Sequence, residues 1–122
     1  MKGTGVALVT PFNSDFTIDF DALAKLVEHC INGGLEYLVV LGTTGEGPTL
    51  TKEEKKQVFA FVAKQVAGRI PLVAGIGGND TMEVIETMKS FDANGYTAIL
   101  SVSPYYNKPN QEGIYLHYME LA

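Results

Sequence analysis

The sequence lacks several features that mark specialised classes of protein. Its single cysteine, Cys30, excludes a disulfide framework and fits a reducing, cytoplasmic environment. No apolar run approaches the ~20 residues that a membrane-spanning helix needs, and residues 1–5 do not form a secretory signal. The net charge of −5, with acids and bases interspersed, argues against a nucleic-acid surface. We therefore expect a cytoplasmic globular protein that binds neither nucleic acid nor membrane.

Fingerprints of phosphate and metal binding are also missing. Residues 42–47 have the glycine spacing of a Walker loop, but Pro48-Thr49 follows where Lys-Ser/Thr is required. Residues 75–78 do not complete a dinucleotide-binding motif. The two histidines, His29 and His117, lie far apart, and neither has a second ligand at a metal-binding spacing. We interpret both as ordinary helix histidines and expect no metal and no cofactor.

What the sequence does contain is a repeated unit, an apolar strand followed by an amphipathic helix. The unit occurs four times at about thirty residues each, the size of a βα unit. The predicted strands are residues 5–10, 38–41, 71–76 and 97–102. The helices that follow carry apolar residues at helical spacing: Phe20, Leu23, Val27, Cys30 and Ile31; Val58, Phe59, Val62 and Val66; Val84, Ile85, Met88 and Phe91, before a stop at Asn94-Gly95; and Ile114, Tyr115, Tyr118 and Leu121. Thr51 and Glu54 are spaced as a capping box before the second helix.

Two architectures accept this pattern, an open doubly wound sheet and half of a (β/α)8 barrel, which needs ~250 residues. The missing phosphate fingerprint favours the barrel. We therefore predict an α/β fold in which residues 1–122 form the N-terminal half, the first four βα units, of a single TIM barrel domain. Four strands covered on one side would leave the inner sheet face and both edges bare. We expect one piece of a longer polypeptide; pairing with another half and rearrangement are the alternatives.

The second predicted strand runs directly into Gly42-Thr43-Thr44-Gly45-Glu46. Glycines let the backbone turn sharply and come close to a ligand. Thr43 and Thr44 present two hydroxyls at the carboxyl end of a strand, where α/β folds collect ligands, so a small carboxylate or phosphate is the expected guest. An ordinary βα turn with Thr as an approximate cap explains the local pattern equally well. Glu46 is expected to anchor the loop through backbone hydrogen bonds, with a general-base role as the alternative.

Four segments, in order and spacing over the whole chain, resemble the dihydrodipicolinate synthase family: Val9-Thr10-Pro11-Phe12, residues 42–46, Gly68-Arg69-Ile70-Pro71 and residues 104–109. This group of pyruvate-dependent class I aldolases includes N-acetylneuraminate lyase. Thr43 and Asn107-Lys108-Pro109 resemble the synthase branch more than the lyase branch.

The resemblance implies a lyase that condenses pyruvate with aspartate semialdehyde, toward lysine and diaminopimelate. A barrel lysine forms a Schiff base with the pyruvate keto carbon, and no metal is needed. By the same resemblance, Thr43 and Tyr106 belong to a hydroxyl relay that shuttles protons, because a hydroxyl can donate and accept at once. Thr44, with Gly42 and neighbouring amides, holds the pyruvate carboxylate. Tyr106 reaches into a neighbouring subunit's site, so a homo-oligomer, a dimer of dimers, is expected.

The resemblance covers only the first half of the family barrel. The Schiff-base lysine belongs to the sixth strand, and a third relay tyrosine and a carboxylate-binding arginine to the fifth strand and its loop. Lys108 belongs to the interface loop, and the other candidates are solvated charges on predicted helices: Lys25, Lys52, Lys55, Lys56, Lys64 and Lys89. We expect these 122 residues alone to form no pyruvate Schiff base. Another pyruvate aldolase, such as N-acetylneuraminate lyase, and a non-catalytic anion-binding α/β module are the alternative functions.

A candidate effector site also follows from the resemblance. In members that lysine inhibits, the effector lies at the dimer interface near the counterparts of Asn79, Glu83 and Tyr105. This sequence has Lys52 and Lys55 where such members carry histidines. The extra positive charge should disfavour a cationic lysine effector, so feedback inhibition is not expected. Ordinary solvated surface residues are the alternative interpretation of all five.

Overall fold

Four parallel strands form a single sheet in chain order, as seen in the computed structural model, which describes residues 2–122. The strands are β1 (Gly5–Ala7), β2 (Tyr37–Val40), β3 (Leu72–Gly75) and β4 (Ala98–Leu100). Leu38 lies opposite both Val6 and Leu72, and Ala74 lies opposite Ile99. Each strand ends before its predicted apolar run does, although single main-chain bonds such as Leu8 N to Val39 O continue the pairing.

Helices connect successive strands: α1 (Phe20–Asn32), α2 (Lys52–Val66), α3 (Thr81–Ser90) and α4 (Gln111–Leu121), the last following β4. Every crossover moves one strand further in the same direction. Right-handed crossovers in one direction place all the helices on one face of the sheet. A doubly wound sheet instead reverses direction partway and covers both faces. The strand order therefore matches the predicted first four units of a (β/α)8 barrel.

Each helix begins at a polar side chain that accepts hydrogen bonds from the first turn. The caps are Asp19, Thr51, Asp80 and Asn110. The predicted capping box is confirmed: the Thr51 hydroxyl accepts from Glu54 N at 3.2 Å, and the Glu54 carboxylate accepts from Thr51 N at 2.8 Å. Hydrogen bonds from the Thr51 main chain and side chain lower the pKa of Glu54. This box fixes the start of α2 directly after the loop that follows β2.

The core lies between the sheet and the helices, and it is densest around β2, β3 and α2. All four apolar residues predicted for the inner face of α2 are buried, and Val62 and Val66 have no exposed surface. Fully burying a Val or Leu side chain contributes about 1.5–3 kcal/mol. The largest fully buried side chains are Leu23, Val27, Leu38, Val40, Val58, Val62, Val66 and Leu72.

Two helices differ from prediction. α3 ends at Ser90, not at Asn94-Gly95, because Phe91 takes an extended conformation and the Asp92 carboxylate accepts from Asn94 N at 3.0 Å. That local bond competes with continued helix. Of the apolar residues predicted for α3, Val84 is buried, while Met88 and Phe91 pack partly against the core.

On α4, Tyr115 was predicted inward but is 58% exposed, and His117 is buried in its place. Residues three and four apart share a helix face, so Ile114, His117 and Leu121 point inward while Tyr115 turns away. The β4 edge is open: Ile99 is 44% and Leu100 54% exposed. The prediction of bare sheet surface is therefore confirmed at β4.

Candidate functional site

A cleft of about 420 Å³ opens at the carboxyl ends of β2, β3 and β4. The carboxyl ends of parallel strands meet at one edge of the sheet, so the loops after these strands come together there. Its lining includes Gly42, Thr43, Lys55, Asn79, Glu83, Ser101 and Tyr105. Five of the residues predicted to bind substrate, proton or effector, namely Gly42, Thr43, Asn79, Glu83 and Tyr105, therefore share one cavity.

The loop after β2 forms a 3₁₀ turn over Thr43–Gly45. Gly45 N donates to Gly42 O at 2.8 Å and Glu46 N donates to Thr43 O at 3.2 Å. Thr43 and Thr44 are exposed, and within residues 2–122 neither hydroxyl caps this turn. The alternative interpretation is therefore correct about a turn at this position but wrong about a threonine cap. Both hydroxyls remain available to a ligand.

The backbone of this loop crosses very close to β3. A Cβ at Gly75 would overlap the carbonyl oxygen of Leu41 and the amide of Gly42, so only glycine permits this approach. Leu41 and Glu46, on either side of the threonines, both have left-handed backbone, with φ of 54° and 56°. Such conformations in non-glycine residues cost of order 1–3 kcal/mol each and concentrate at functional sites.

Glu46 anchors the loop through its main chain. Its carbonyl oxygen accepts from both the amide and the hydroxyl of Thr49, each at 2.9 Å. Its side chain is exposed. These bonds use the main chain, which any residue could supply, so a role for the Glu46 carboxylate in anchoring the loop stays a prediction.

The loop after β4 brings two tyrosines to the same end of the sheet. Tyr105 is 46% exposed and lines the cleft, whereas Tyr106 is 90% exposed and lies outside its lining. Tyr106 and Lys108 have left-handed backbone, with φ of 70° and 44°. The Asn107 side chain donates to Asn79 O at 3.3 Å and ties this loop to the one after β3. Thr44 and Tyr106 therefore lie at the edge formed by the carboxyl ends of the strands, but outside the lining of the cleft.

One side of the cleft carries opposite charges. Lys52 Nζ lies 3.4 Å from Glu83 Oε1, with the two side chains 68% and 59% exposed. Lys55 is half-buried and lines the cavity, so it is less exposed than the solvated helix charge that was predicted. Its position one helical turn beyond Lys52 places it beside the cleft.

Several polar groups near the site carry no sequence signal of their own. Ser101 Oγ is buried and lacks a hydrogen-bond partner within the described residues. The buried Thr10 hydroxyl donates to Gly45 O at 2.7 Å. Thr10 stands out in the sequence only as part of the Val9-Thr10-Pro11-Phe12 motif.

The histidines lie on helices, as predicted. His117 is buried, with Nδ1 2.8 Å from the hydroxyl of Thr81. His29 lies in the last turn of α1. Residues 2–122 contain no group of three or more acids, histidines or cysteines able to hold a metal ion. In the same range, no helix is both long and apolar enough to cross a membrane.

Fold and cleft together define the first half of a parallel α/β barrel with a cleft and exposed hydroxyls at the carboxyl ends of its strands. The profile of the dihydrodipicolinate synthetase family matches residues 1–122. The 4-hydroxy-tetrahydrodipicolinate synthase of Parabacteroides distasonis is 57% identical over 122 residues, and that of Flavobacterium psychrophilum 58% identical over 120. The chain belongs to the dihydrodipicolinate synthetase family.

Solved structures of dihydrodipicolinate synthases have the same fold over the length of this chain. The chloride-inhibited dihydrodipicolinate synthase of Acinetobacter baumannii, complexed with pyruvate, superposes with a TM-score of 0.93 at 46% identity, over 98% of this chain and 41% of that chain. The enzyme from Aquifex aeolicus gives 0.91 at 43%, over 99% of this chain and 41% of that chain. The alignments with the two curated relatives cover 100% and 98% of this chain, and 41% of the length of each relative. The chain thus spans about two fifths of the length of these relatives.

Proposed function

We propose that this chain supplies the N-terminal half of a lyase that condenses pyruvate with aspartate semialdehyde through a Schiff base. One observation carries the proposal: in a chain of this family, the hydroxyls of Thr43 and Thr44, just after β2, form no capping hydrogen bond in their turn. Names of curated relatives, all 4-hydroxy-tetrahydrodipicolinate synthase in the cases above, favour the synthase over N-acetylneuraminate lyase.

The proposed roles are those that the family resemblance implies, and hydroxyl chemistry suits them. Thr44 and the amides beside Gly42 bind the pyruvate carboxylate, an anion that suits several N–H and O–H donors converging on one point. Thr43 and Tyr106 pass protons to and from the Schiff-base centre, since each hydroxyl can donate and accept. The iminium withdraws electrons, the pyruvate methyl group loses a proton, and the enamine carbon attacks the aldehyde of the second substrate.

The amine that forms the Schiff base is assigned to a part of the barrel beyond these residues. In the described part of the chain, Lys25, Lys56, Lys64 and Lys89 are exposed on helices, and Lys108 is exposed on the loop after β4. A lysine that forms a Schiff base is activated by desolvation or by a neighbouring cation, and exposed side chains such as these are not desolvated. We infer that residues 1–122 form half of a single catalytic domain and are inactive without the other half.

Assembly and location complete the proposal. Tyr106 is 90% exposed and held in a left-handed conformation, as suits a side chain that enters a neighbouring subunit's site. The proposed assembly is a cytoplasmic homo-oligomer, a dimer of dimers. A monomeric dihydrodipicolinate synthase variant is among the solved structures similar to this chain.

A candidate effector site occupies the other side of the cleft. Asn79, Glu83 and Tyr105 could bind the charged ends of an amino acid. Lys52 already pairs with Glu83, and Lys55 adds a second positive charge. We propose that free lysine binds this site poorly.

Borohydride trapping tests the function. Residues 1–122 are joined to the remaining C-terminal part of the Parabacteroides distasonis synthase, and the chimaera is reduced with borohydride in the presence of pyruvate. Intact mass should show one pyruvate adduct on the chimaera and none on the 122-residue chain. The full-length relative serves as the positive control. An adduct on the 122-residue chain, or a folded chimaera that traps nothing while the relative does, contradicts the proposal. Pyruvate binding without an adduct would instead support an anion-binding module.

A further inference from the structure

A buried hydroxyl joins the end of β1 to the threonine loop. Thr10 is 5% exposed, and its Oγ1 donates to the carbonyl oxygen of Gly45 at 2.7 Å across a separation of 35 residues. Gly45 is also buried and directly follows Thr44. Buried carbonyl oxygens in folded proteins are hydrogen-bonded, and the Thr10 hydroxyl supplies that hydrogen bond to Gly45 O.

The other hydrogen bonds of the loop are local. Gly45 N donates to Gly42 O, Glu46 N to Thr43 O, and the Thr49 amide and hydroxyl donate to Glu46 O. Within residues 2–122, the Thr10 hydroxyl is the hydrogen-bond donor that reaches the 42–46 turn from outside the β2–α2 connection. The local bonds set the shape of the turn, whereas the Thr10 bond sets its position relative to β1.

Thr10 itself is held by neighbouring structure. Leu8 N donates to Val39 O at 2.9 Å, which continues the pairing of β1 with β2. After Thr10, the ring of Pro11 restricts the backbone, and Pro11 O accepts from Asp19 N at 2.9 Å. Gly45 also packs closely on this segment, because a Cβ there would lie 3.2 Å from Leu8 O.

We propose that Thr10 is a positioning residue for Thr43 and Thr44, and so for pyruvate binding and proton transfer in the proposed reaction, on which this inference rests. Its hydroxyl is bonded to the Gly45 carbonyl and lies outside the cleft lining, so it acts on the two hydroxyls that precede that carbonyl. Catalytic groups tolerate little displacement, since a shift of about 1 Å can cost a hundredfold in rate.

The first test measures amide exchange in the chimaera and needs no activity. Thr10→Val removes the hydroxyl at nearly constant volume, and Thr10→Ser keeps it. In Thr10→Val, the Gly45 and Glu46 amides should exchange with solvent about tenfold faster and their NMR signals should shift. Thr10→Ser should resemble the parent chimaera. The matched control is Thr49→Val, which removes an exposed local bond to the same loop and should leave Gly45 unchanged.

A second test measures pyruvate kinetics in the chimaera. Thr10→Val should raise the KM for pyruvate and lower kcat/KM by about tenfold or more, and Thr10→Ser should restore the parent values to within about threefold. If Thr10→Val fails to fold, Thr10→Cys is compared with Thr10→Ser. Its thiol is a weaker hydrogen-bond donor, so its kcat/KM for pyruvate should be the lower of the two.

The outcomes separate the two proposals. A chimaera without a Schiff base removes the proposed function, but the amide exchange at Gly45 still tests the positioning by Thr10. A folded Thr10→Val variant with unchanged Gly45 exchange overturns the inference. So does a Thr10→Ser variant that loses as much kcat/KM as Thr10→Val.

Discussion

The guanidinium of Arg69 donates two hydrogen bonds to the Glu28 carboxylate, at 2.6 and 2.8 Å, and joins the end of α2 to α1. Gln65 Nε2 donates to the same carboxylate at 2.7 Å. Arg69 Nε also donates to Val66 O at 3.0 Å, so the same side chain satisfies the carboxyl end of α2. Within the Gly68-Arg69-Ile70-Pro71 motif, Arg69 therefore joins two neighbouring helices outside the cleft. We call the bonds of Arg69 and Gln65 to Glu28 the clamp.

This clamp predicts a pH dependence of stability. Hydrogen bonds from Arg69 and then Gln65 lower the pKa of Glu28 to about 2, from 4.5. A carboxyl whose pKa falls on folding contributes stability that is fully present above the unfolded pKa and is lost as the pH falls. The urea midpoint of the chain should therefore decrease as the pH falls from 4.5 toward 2.

Glu28→Gln removes the titrating carboxylate and should flatten that part of the pH profile. Glu120→Gln, on the exposed face of α4, is the matched control and should keep the parent's slope. Equal slopes for Glu28→Gln and the parent between pH 4.5 and 2 would show that this carboxylate does not carry the effect.

The core below the cleft predicts a large loss of stability on truncation. Leu38 on β2 is fully buried. Leu38→Ala should lower the free energy of unfolding by about 2–5 kcal/mol, because transfer free energy is lost and a cavity remains. Leu116→Ala, at a 52% exposed position on α4, should change it by no more than about 0.5 kcal/mol. Urea denaturation of the three proteins side by side makes the comparison, and similar losses at both sites would contradict this core assignment.

The proposed relay predicts a separation of kcat from KM. In the chimaera, Thr43→Val should lower kcat by about a hundredfold, the lower end of the range for a proton-transfer group. Thr44→Val should instead act mainly on the KM for pyruvate, because its proposed partner is the carboxylate. Steady-state kinetics at saturating aspartate semialdehyde distinguish the two, with Thr43→Ser as the hydroxyl-retaining control. A Thr43→Val chimaera at full kcat would exclude this residue from the relay.

The charges beside the cleft predict the response to lysine. Isothermal titration of the chimaera with free lysine should give little heat, because Lys52 already pairs with Glu83 at 3.4 Å. The double variant Lys52→His, Lys55→His removes two positive charges at neutral pH and should bind lysine more tightly. The double variant Lys56→His, Lys64→His, at two exposed positions of the same helix, controls for the change of net charge. Strong binding by the parent chimaera would contradict the proposal.

Local periodicity and caps were sufficient to predict most of the secondary structure. The apolar face of α2 and the Thr51–Glu54 capping box are confirmed because both depend on residues within a few positions of one another. The end of α3 and the orientation of Tyr115 were predicted wrongly. There, a local Asp92 hydrogen bond and the packing of His117 decided between conformations that the apolar pattern leaves close in energy.

By itself, the sequence determined the βα repeat, the absence of nucleotide and metal motifs, and the resemblance to a family, since these reside in residue types and short spacings. Only the tertiary structure decided that Thr43 lines the same cleft as Asn79, Glu83 and Tyr105, and that a hydroxyl at position 10 holds a carbonyl at position 45. Such contacts join residues tens of positions apart. They exist only once parallel strands bring their carboxyl ends to one edge, which no local pattern encodes.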